Sequence, residues 1–472
     1  MSLATTQTQP QTQTLWAPWA WLPEGWQADV LLSADAQGRW AAVQAGQPCP
    51  PGAQRLAAPV LPGLVDAHSH AFQRAFAGLA EQRTRAEDDF WSWRDRMYRV
   101  AGRVGPAELR TIARQLYGEL LRGGYTQVCE FHYLQHQPDG TPYDDPLALS
   151  RALIDAAADT GIGLTLLPVI YERAGFTQPE LRPDQARFRL DADGAWAICQ
   201  AVNAQGHARL NAGVAVHSLR AARPESLQRL ATLAAGQAVP LHIHVAEQPA
   251  EVHDCLAATG QRPMQWLAAQ GLLDARWQLV HATHSTPEEI AAVAARGAGV
   301  VLCPGTEANL GDGLADLPGW LAAGVPLAIG SDSQVTRDWR EELRWLEYGQ
   351  RLQRLQRNVA ADPAGGEPSG STRLWRSALR GGQAAAGQTA WGLQAGARAD
   401  LLVADAAAPE CAGLPMDRWL DALVMTGPGT PWAAVMVAGD WVLQGGMLRA
   451  DHCGGPGNPA LAYTRLMSAL WH

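Results

Sequence analysis

The fold is decided by one stretch near the N-terminus, Pro59-Val-Leu-Pro-Gly-Leu-Val-Asp-Ala-His-Ser-His70. Its apolar part, residues 60–65, predicts a buried strand, and Asp66-Ala-His-Ser-His70 follows where that strand ends. Alternate side chains of a strand lie on the same face. His68 and His70 are therefore expected to point together, as two nitrogen ligands of one metal ion would. Taken alone, the pair also fits two unrelated surface histidines.

Seven further apolar runs alternate with helical patterns downstream of this strand. Eight units of a strand followed by a helix predict an α/β fold, a distorted (β/α)8 TIM-like barrel. The insertion at residues 72–105 is long, and long loops on this architecture often contact the substrate. The predicted strands are 60–65, 126–131, 163–170, 212–216, 240–245, 278–281, 299–303 and 326–329, and the predicted helices include 106–122 and 287–296.

The two ends of the chain share a second pattern, of short apolar stretches cut by glycine and proline. Residues 15–58 and 396–450 are predicted to form one small β-sandwich domain from the N- and C-terminal segments. Residues 59–395 are then the barrel, which carries the His68 and His70 pair. Residues 1–14, rich in threonine and glutamine, are predicted to be disordered, and residues 451–472 are predicted to be a C-terminal tail.

Composition excludes several classes of function. All 37 basic residues among the 472 are arginine. The absence of lysine excludes a Schiff-base lysine, a phosphate-binding P-loop and a carbamylated lysine between two metals. The net charge of −9 argues against a nucleic-acid partner, and no apolar run is long enough to predict a membrane span. The seven scattered cysteines form no C-x-x-C pair, which predicts reduced thiols and a cytoplasmic location.

Histidines and carboxylates recur at the ends of three later strands. His244 lies at the end of the fifth strand and Glu247 just after it, His281 ends the sixth, and Asp332 follows the eighth. The carboxyl ends of barrel strands form the face on which barrel enzymes build their sites. Histidine and carboxylate ligands suit zinc or a related cation. The pattern therefore predicts one divalent metal ion, with Zn²⁺ as the expected species.

These strand-end motifs resemble the signature of the amidohydrolase superfamily. Many members of that superfamily use a carbamylated lysine, which this chain lacks. The H-x-x-E spacing of His244 and Glu247 is similar to the mononuclear deaminase branch. Between about residues 60 and 395, loop motifs narrow the resemblance to deiminases of a linear amidine: Phe90-Trp-Ser-Trp-Arg94, Glu130-Phe-His-Tyr133, His217-Ser-Leu-Arg220, Thr306-Glu-Ala-Asn-Leu-Gly-Asp-Gly313 and Glu341-Glu-Leu-Arg-Trp-Leu-Glu-Tyr348. Gln334 departs from related sequences, which often carry histidine there.

The resemblance implies hydrolysis of N-formimidoyl-L-glutamate to N-formyl-L-glutamate and ammonia, in histidine degradation. It implies that the metal ligands are His68, His70, His244 and Asp332. It further implies that Asp332 accepts a proton from the attacking water, that His281 orients this water, and that Glu247 delivers protons to the leaving nitrogen.

The resemblance also implies a set of groups that bind a small dicarboxylate substrate. With no lysine in the chain, arginine must supply the charge that holds the carboxylates. The implied residues are Gln73, Arg94, Tyr133, His217 and Arg220. At this stage Arg94 could instead form a surface salt bridge, Tyr133 could pack at the barrel rim, and His217 could cap its strand. We expect a homodimer.

Three other functions stay open on the sequence alone. One is a different mononuclear deaminase of the superfamily, acting on a nucleobase or a related ring. Another is a ring-opening amide hydrolase such as imidazolonepropionase. The last is a non-catalytic relative, which would be expected to have lost metal ligands, whereas every ligand position here keeps a ligating residue.

Overall fold

Eight parallel strand positions form a nearly closed barrel in the computed structural model, which describes residues 12–83, 90–427, 429, 432–449 and 459–471. These strands are rich in valine, leucine and isoleucine and are almost entirely buried, as parallel strands covered on both faces are. Nine strands fill these eight positions. Numbered in chain order over the whole molecule, they are β6 (Leu64–Ser69), β7 (Tyr125–His132), β8 (Gly163–Ile170), β9 (Leu210–Ala212), β10 (Val214–Val216), β11 (Leu241–Val245), β12 (Trp277–His281), β13 (Gly299–Leu302) and β14 (Leu327–Ile329). The predicted barrel is confirmed.

Two local features shape this barrel. The fourth position is split into β9 and β10 at Gly213, where an added Cβ atom would lie 2.2 Å from the carbonyl oxygen of Pro240. The first and last strands meet through a parallel bridge between Ser69 and Asp332, just beyond the end of β14. The carboxyl ends of β6 and β14 are thereby adjacent, although they are separated by most of the chain.

Helices cover the outside of the barrel, and local sequence sets several of their ends. The N–H of Gly105 donates to Glu108 Oε2 (3.0 Å) at the start of the predicted helix 106–122. Thr286 and Glu289 exchange backbone-to-side-chain bonds at the start of helix 287–296. Both predicted helices are confirmed. The helices are α1 (Phe90–Ala101), α2 (Pro106–Arg122), α3 (Ala148–Thr160), α4 (Ala192–Asn203), α5 (Pro224–Leu233), α6 (Pro249–Thr259), α7 (Pro263–Ala269), α8 (Pro287–Arg296), α9 (Pro304–Leu310), α10 (Leu317–Ala322), α11 (Trp339–Arg354), α12 (Gly370–Ala385), α13 (Trp419–Thr426) and α14 (Pro459–Trp471).

Strands from both ends of the chain form a second, mixed sheet beside the barrel. They are β1 (Gln13–Leu22), β2 (Gly25–Ala34), β3 (Trp40–Gln44), β4 (Gln54–Arg55), β5 (Val60–Leu61), β15 (Leu401–Ala404), β16 (Trp432–Val437), β17 (Asp440–Gln444) and β18 (Met447–Leu448). β5 pairs with both β1 and β15, so the N- and C-terminal strands belong to one continuous hydrogen-bonded sheet. The predicted β-domain thus takes the form of a single nine-stranded sheet in the described residues.

Two sequence-based boundaries need correction. The predicted strand 60–65 is two strands, because Val60–Leu61 pairs in the terminal sheet and only Leu64 and Val65 enter the barrel. Pro62 and Gly63 separate them, since proline cannot donate to a sheet ladder. Gln13 and Thr14, predicted to be disordered, pair with β2. Residues 1–11 lie outside the described residues.

A buried ion pair joins the terminal sheet to the barrel. The guanidinium of Arg398 donates to both carboxylate oxygens of Asp400 (2.9 and 2.6 Å). It also donates to Gln127 Oε1 (2.6 Å) and to the carbonyl of Thr126 (3.0 Å), both in β7. Both members of the pair are about 4 % exposed. The terminal sheet is therefore fixed to the amino-terminal part of a barrel strand.

The described part of the predicted C-terminal tail is a helix, α14, that packs on the barrel. Tyr463 exchanges hydrogen bonds with Arg74 (3.1 and 3.2 Å), and the indole of Trp471 donates to the carbonyl of Ala75 (3.1 Å). Both contacts lie just beyond β6, so the C-terminal helix braces the segment that follows the first barrel strand. None of the described helices has the length and apolar character that a membrane span requires.

Candidate metal and active site

The imidazoles of His70 and His244 are fixed by backbone carbonyls. His70 Nδ1 donates to the carbonyl of Phe131 (2.9 Å), and His244 Nδ1 donates to the carbonyl of His217 (2.9 Å). A carbonyl accepts only, so each Nδ1 carries the proton and each Nε2 keeps its lone pair. This is the arrangement by which proteins orient histidine ligands of metals.

Asp332 faces these imidazoles from the far side of the barrel seam. Its Oδ1 lies 3.5 Å from His68 Nε2 and 3.4 Å from His70 Nε2. The backbone holds it there: its N–H donates to the carbonyl of His68 (2.9 Å), and its carbonyl accepts from the N–H of His70 (3.2 Å). Burial would raise the pKa of this carboxyl, but its hydrogen bond with His68 and the electrostatic effect of the neighbouring histidines hold it below its usual range.

The donor set fits a divalent cation. His68 Nε2 and His244 Nε2 face each other at 3.0 Å, and burial lowers the pKa of both imidazoles. Two neutral rings with converging nitrogens leave a lone pair facing a lone pair unless a cation or proton lies between them. Tetrahedral zinc with bonds of about 2.0–2.1 Å separates its donors by roughly 3.3 Å. The observed spacings of 3.0–3.5 Å match this value.

His281 lies beside this cluster among three carboxylates. Its Nε2 is 3.7 Å from both Glu247 Oε1 and Asp332 Oδ2, and its Nδ1 is 3.3 Å from Glu307 Oε1. Burial lowers the pKa of this imidazole, but the charges of Glu247, Glu307 and Asp332 outweigh burial and raise it to about 10. His281 also has a φ of +68°, in the left-handed region that non-glycine residues rarely adopt.

Glu247 stands at the edge of the cluster with a partly exposed side chain. Burial, with the nearby charge of Asp332, raises the pKa of its carboxyl to about 7, against the opposing effect of His281. Its backbone is held by Glu251, whose carboxylate accepts from the N–H groups of Ala246 (3.2 Å) and Glu247 (3.1 Å). A carboxyl with this pKa exchanges protons readily at neutral pH.

Two arginines converge on one indole in the wall above the cluster. The guanidinium carbons of Arg94 and Arg220 lie 4.5 and 5.4 Å from the ring centroid of Trp91. Burial and the charge of Arg220 lower the pKa of Arg94. Arg94 Nε and Arg220 Nε and Nη1 are buried and lack a hydrogen-bond partner among the described residues. Unpaired guanidinium N–H groups in this setting are suited to an anion.

The remaining predicted substrate groups lie against the histidine cluster. Gln73 Nε2 donates to the hydroxyl of Tyr133 (3.1 Å), and Gln73 Oε1 is buried without a partner. His217 packs its ring 5.7 Å from Tyr133 and 5.1 Å from His244. The structure thus brings every predicted site residue to one end of the barrel.

Sequence reasoning gave no role to three buried acidic residues that support this site. Glu130 accepts from the N–H of Ala71 (2.6 Å) and the hydroxyl of Ser69 (2.9 Å). Asp66 accepts from the N–H and hydroxyl of Ser331 (2.9 and 2.6 Å), next to Asp332. The third is Glu307, beside His281. Each of the three lies within one of the sequence motifs described above. An acidic residue in such a motif was the signal that could have identified them.

Gln334, the departure from related sequences, has a supporting position. Its Nε2 donates to Ser69 Oγ (3.0 Å) and to the carbonyl of Asp332 (2.8 Å). The amide therefore links the segment of Asp332 to the end of β6. Its side chain is fully buried.

The comparison with known families agrees with this geometry. The sequence profile of the Amidohydrolase family matches residues 60–442. The chain belongs to the amidohydrolase family. The match begins at β5 and ends in β17, so it spans the barrel and the C-terminal strands of the terminal sheet.

Among individual proteins, this amidohydrolase is similar to the formimidoylglutamate deiminase of Pseudomonas aeruginosa. They are 46 % identical over 438 residues, 92 % of this chain and 95 % of the relative. A crystal structure of an amidohydrolase from Brucella melitensis superposes with a TM-score of 0.91 at 38 % identity, covering 98 % of this chain and 100 % of that one. An adenosine deaminase from Xanthomonas campestris with bound zinc shares the fold, with a TM-score of 0.78 at 22 % identity, covering 98 % of this chain and 99 % of that one.

Proposed function

We propose that this amidohydrolase hydrolyses N-formimidoyl-L-glutamate to N-formyl-L-glutamate and ammonia. The observation that carries the proposal is the pairing of two features at one end of the barrel. One is the convergent histidine–aspartate cluster, and the other is the pair of arginines, Arg94 and Arg220, with buried unpaired N–H groups. The similarity to the formimidoylglutamate deiminase of Pseudomonas aeruginosa supports the same assignment.

The metal in this proposal is a single Zn²⁺, held by His68, His70, His244 and Asp332. Imidazole nitrogens with fixed tautomers and a carboxylate are ligands that zinc prefers. Bound there, a divalent cation would acidify a water molecule, lowering its pKa to about 7, and so supply the nucleophile at neutral pH. The absence of lysine from the chain agrees with a single-metal site.

Three side chains move protons in the proposed reaction. Asp332 accepts a proton from the attacking water as the new C–O bond forms at the amidine carbon. His281 donates from Nε2 toward the same water and toward the charge that develops at that carbon. Glu247, protonated in part at neutral pH because of its raised pKa, gives its proton to the amidine nitrogen. The nitrogen then takes the proton held by Asp332, the C–N bond breaks and ammonia leaves, and the remaining hydroxyl proton passes to Glu247 as the formyl carbonyl forms.

The substrate's two carboxylates are assigned to the arginines. A guanidinium matches a carboxylate with two parallel hydrogen bonds, which a point charge does not. Gln73, Tyr133 and His217 lie beside the proposed metal ligands, where they could contact the formimidoyl end of the substrate. Gln73 Oε1, buried and unpaired, is an acceptor available to an amidine N–H.

A substrate panel tests this proposal against the alternatives. Ammonia release is measured with zinc-loaded protein on N-formimidoyl-L-glutamate, adenosine, 8-oxoguanine and imidazolonepropionate, the last followed by loss of ring absorbance. We expect turnover on the first compound, with kcat/KM at least about 10⁴ M⁻¹s⁻¹, the lower end for established enzymes. Higher kcat/KM on a ring substrate would refute the proposal. Absence of turnover on all four, with metal bound, would favour a non-catalytic relative.

We also propose that the protein acts in the cytoplasm as a homodimer. Six cysteines lie in the described residues and all are free thiols, five of them buried. Unpaired cysteines are typical of a reducing compartment. Light scattering on a size-exclusion column tests the dimer directly, because a mass near 50.6 kDa rather than twice that value would contradict it.

A further inference from the structure

Glu307 is a buried carboxylate with no part in the proposed reaction. It lies in the first turn of α9, directly after barrel strand β13, and is 4 % exposed. Its Oε1 accepts from the N–H of Cys303 (2.8 Å) and faces Nδ1 of His281 at 3.3 Å. This places a fixed acceptor behind the imidazole, on the side opposite Glu247 and Asp332.

The position of Glu307 is itself held from a second helix. Glu342 of α11 is fully buried, and its Oε2 accepts from the N–H of Gly305 (2.9 Å) in the same turn of α9. The start of α9 is therefore bound to carboxylates at both Cys303 and Gly305. A support held at two points keeps the Glu307 carboxylate at one distance from His281.

The imidazole of His281 needs such a support. Both His281 and Ala282 have positive φ values, +68° and +47°, so the backbone gives the ring an unusual direction. On its other side Nε2 is 3.7 Å from two carboxylates, Glu247 and Asp332, and makes no hydrogen bond to either by distance. Glu307 is thus the hydrogen-bond partner that fixes the ring's rotation.

His281, Cys303 and Glu307 could alternatively hold a metal ion, since their ligand atoms lie within 4.8 Å of one another. One observation disfavours this. The Glu307 oxygen nearest His281 is already an acceptor for the backbone N–H of Cys303.

We infer that Glu307 is a positioning residue for His281, which keeps a proton on Nδ1 and turns Nε2 toward the reacting centre. This inference rests on the proposed function, in which His281 acts through Nε2. The arrangement follows the general logic in which a carboxylate orients a catalytic histidine from behind. Because Glu307 does not reach the arginine wall, it should affect turnover and leave substrate binding unchanged.

The test is a double-mutant cycle with zinc-loaded protein. Glu307→Ala should lower kcat by about 100-fold and Glu307→Gln by about 10-fold, the range for supports of catalytic ligands, with KM unchanged. The amide of glutamine still accepts from Nδ1–H, so the conservative variant retains part of the function. In a His281→Ala background, Glu307→Gln should cause no further loss, because its partner is absent. If Glu307→Gln lowers kcat in the His281→Ala background by the same factor as in the wild type, the inference is overturned.

The matched control is Glu289→Ala. Glu289 is also a buried carboxylate at the start of a helix, where it accepts from the N–H of Thr286 (2.9 Å), but its ion-pair partner is Arg262. Glu289→Ala should lower the free energy of unfolding and leave kcat within about twofold of the wild type, because Glu289 acts only by capping its helix. A loss of kcat equal to that of Glu307→Ala would show that any buried capping carboxylate has the same effect, and would overturn the inference.

A second measurement does not depend on the substrate. In ¹⁵N-histidine-labelled protein, long-range ¹H–¹⁵N spectra should show His281 Nδ1 protonated, and Glu307→Ala should remove this state or average it. Unchanged His281 nitrogen shifts in that variant would overturn the inference. If the wild-type protein fails to deiminate N-formimidoyl-L-glutamate while these spectra behave as expected, the proposed function is wrong and the positioning of His281 stands.

Discussion

Replacing Arg220 with alanine tests how the site recognises its substrate. Arg220 has two buried N–H nitrogens, Nε and Nη1, with no partner among the described residues. Nε and Nη1 lie on different edges of the guanidinium, and each shares its edge with Nη2, so a carboxylate on either edge would bind one of these two donors. The substitution removes both donors and leaves the metal ligands and Glu247 in place.

The size of the effect follows from these two donors. A hydrogen bond to a charged group is worth about 1.5–3 kcal/mol. The guanidinium is half-buried, and the two bonds are not additive, so we expect a total loss of about 2–4 kcal/mol. At 1.36 kcal/mol per tenfold, kcat/KM falls roughly 30- to 1,000-fold, mainly through KM, because the carboxylate is bound equally before and during the reaction.

The assay compares three substrates that differ only in their carboxylates. N-formimidoyl-L-glutamate has both, N-formimidoyl-L-glutamine lacks the side-chain carboxylate, and N-formimidoyl-4-aminobutyrate lacks the α-carboxylate. Arg220→Ala should reduce kcat/KM strongly for glutamate and for one of the two analogues, and hardly for the other. Arg229→Ala is the control, since Arg229 is about half exposed and paired with Asp193 at 2.6 Å.

Two results would refute this reasoning. If Arg220→Ala keeps kcat/KM for N-formimidoyl-L-glutamate within threefold of the wild type, the guanidinium does not bind the substrate. If the variant loses activity equally on all three substrates, the arginine supports the fold of the pocket and has no carboxylate partner.

Three further predictions concern Glu247, Asp332 and Arg398. Glu247→Gln should lower kcat by about 10²–10⁴-fold, the typical contribution of a proton-transfer group, with zinc content by elemental analysis unchanged; loss of zinc would contradict this role. Asp332→Ala should lose both turnover and stoichiometric zinc, and retention of zinc would remove Asp332 from the ligand set. Arg398→Ala leaves Asp400 buried without its partner and should lower the free energy of unfolding by about 3–5 kcal/mol in urea titrations; a change below 1 kcal/mol would contradict that estimate.

The barrel and the position of its site could be predicted because both depend on short-range patterns. A buried strand followed by H-x-H places two imidazoles on one face whatever the rest of the chain does. Parallel strands of a barrel also end at the same face, so His244, His281 and Asp332 had to meet there. Side-chain distances are then set by the register of neighbouring strands, which the alternation of elements already implies.

The terminal strands show a limit of what local sequence patterns can predict. Val60–Leu61 and the first two residues of β6 are all apolar, and local propensity does not distinguish a strand of the terminal sheet from a barrel strand. Their assignment depends on pairing with β1 and β15, which are distant in sequence. The same holds for Arg398 and Gln127, a contact across 271 residues that no local signal predicts.

Glu307 illustrates a further limit. Its acidic side chain is visible in the motif Thr306–Gly313, yet a carboxylate in the first turn of a helix is normally explained as a favourable interaction with the helix dipole. Its contact with His281 depends on the direction of α9 and on the positive φ of His281. Neither quantity follows from residue type alone.

Anomalous diffraction at the zinc edge, on crystals of active protein, tests the central claim most directly. The account predicts one peak, bonded to His68, His70 and His244 through Nε2 and to Asp332 through a carboxylate oxygen. A peak among His281, Cys303 and Glu307, or full activity in protein without a metal peak, would contradict it.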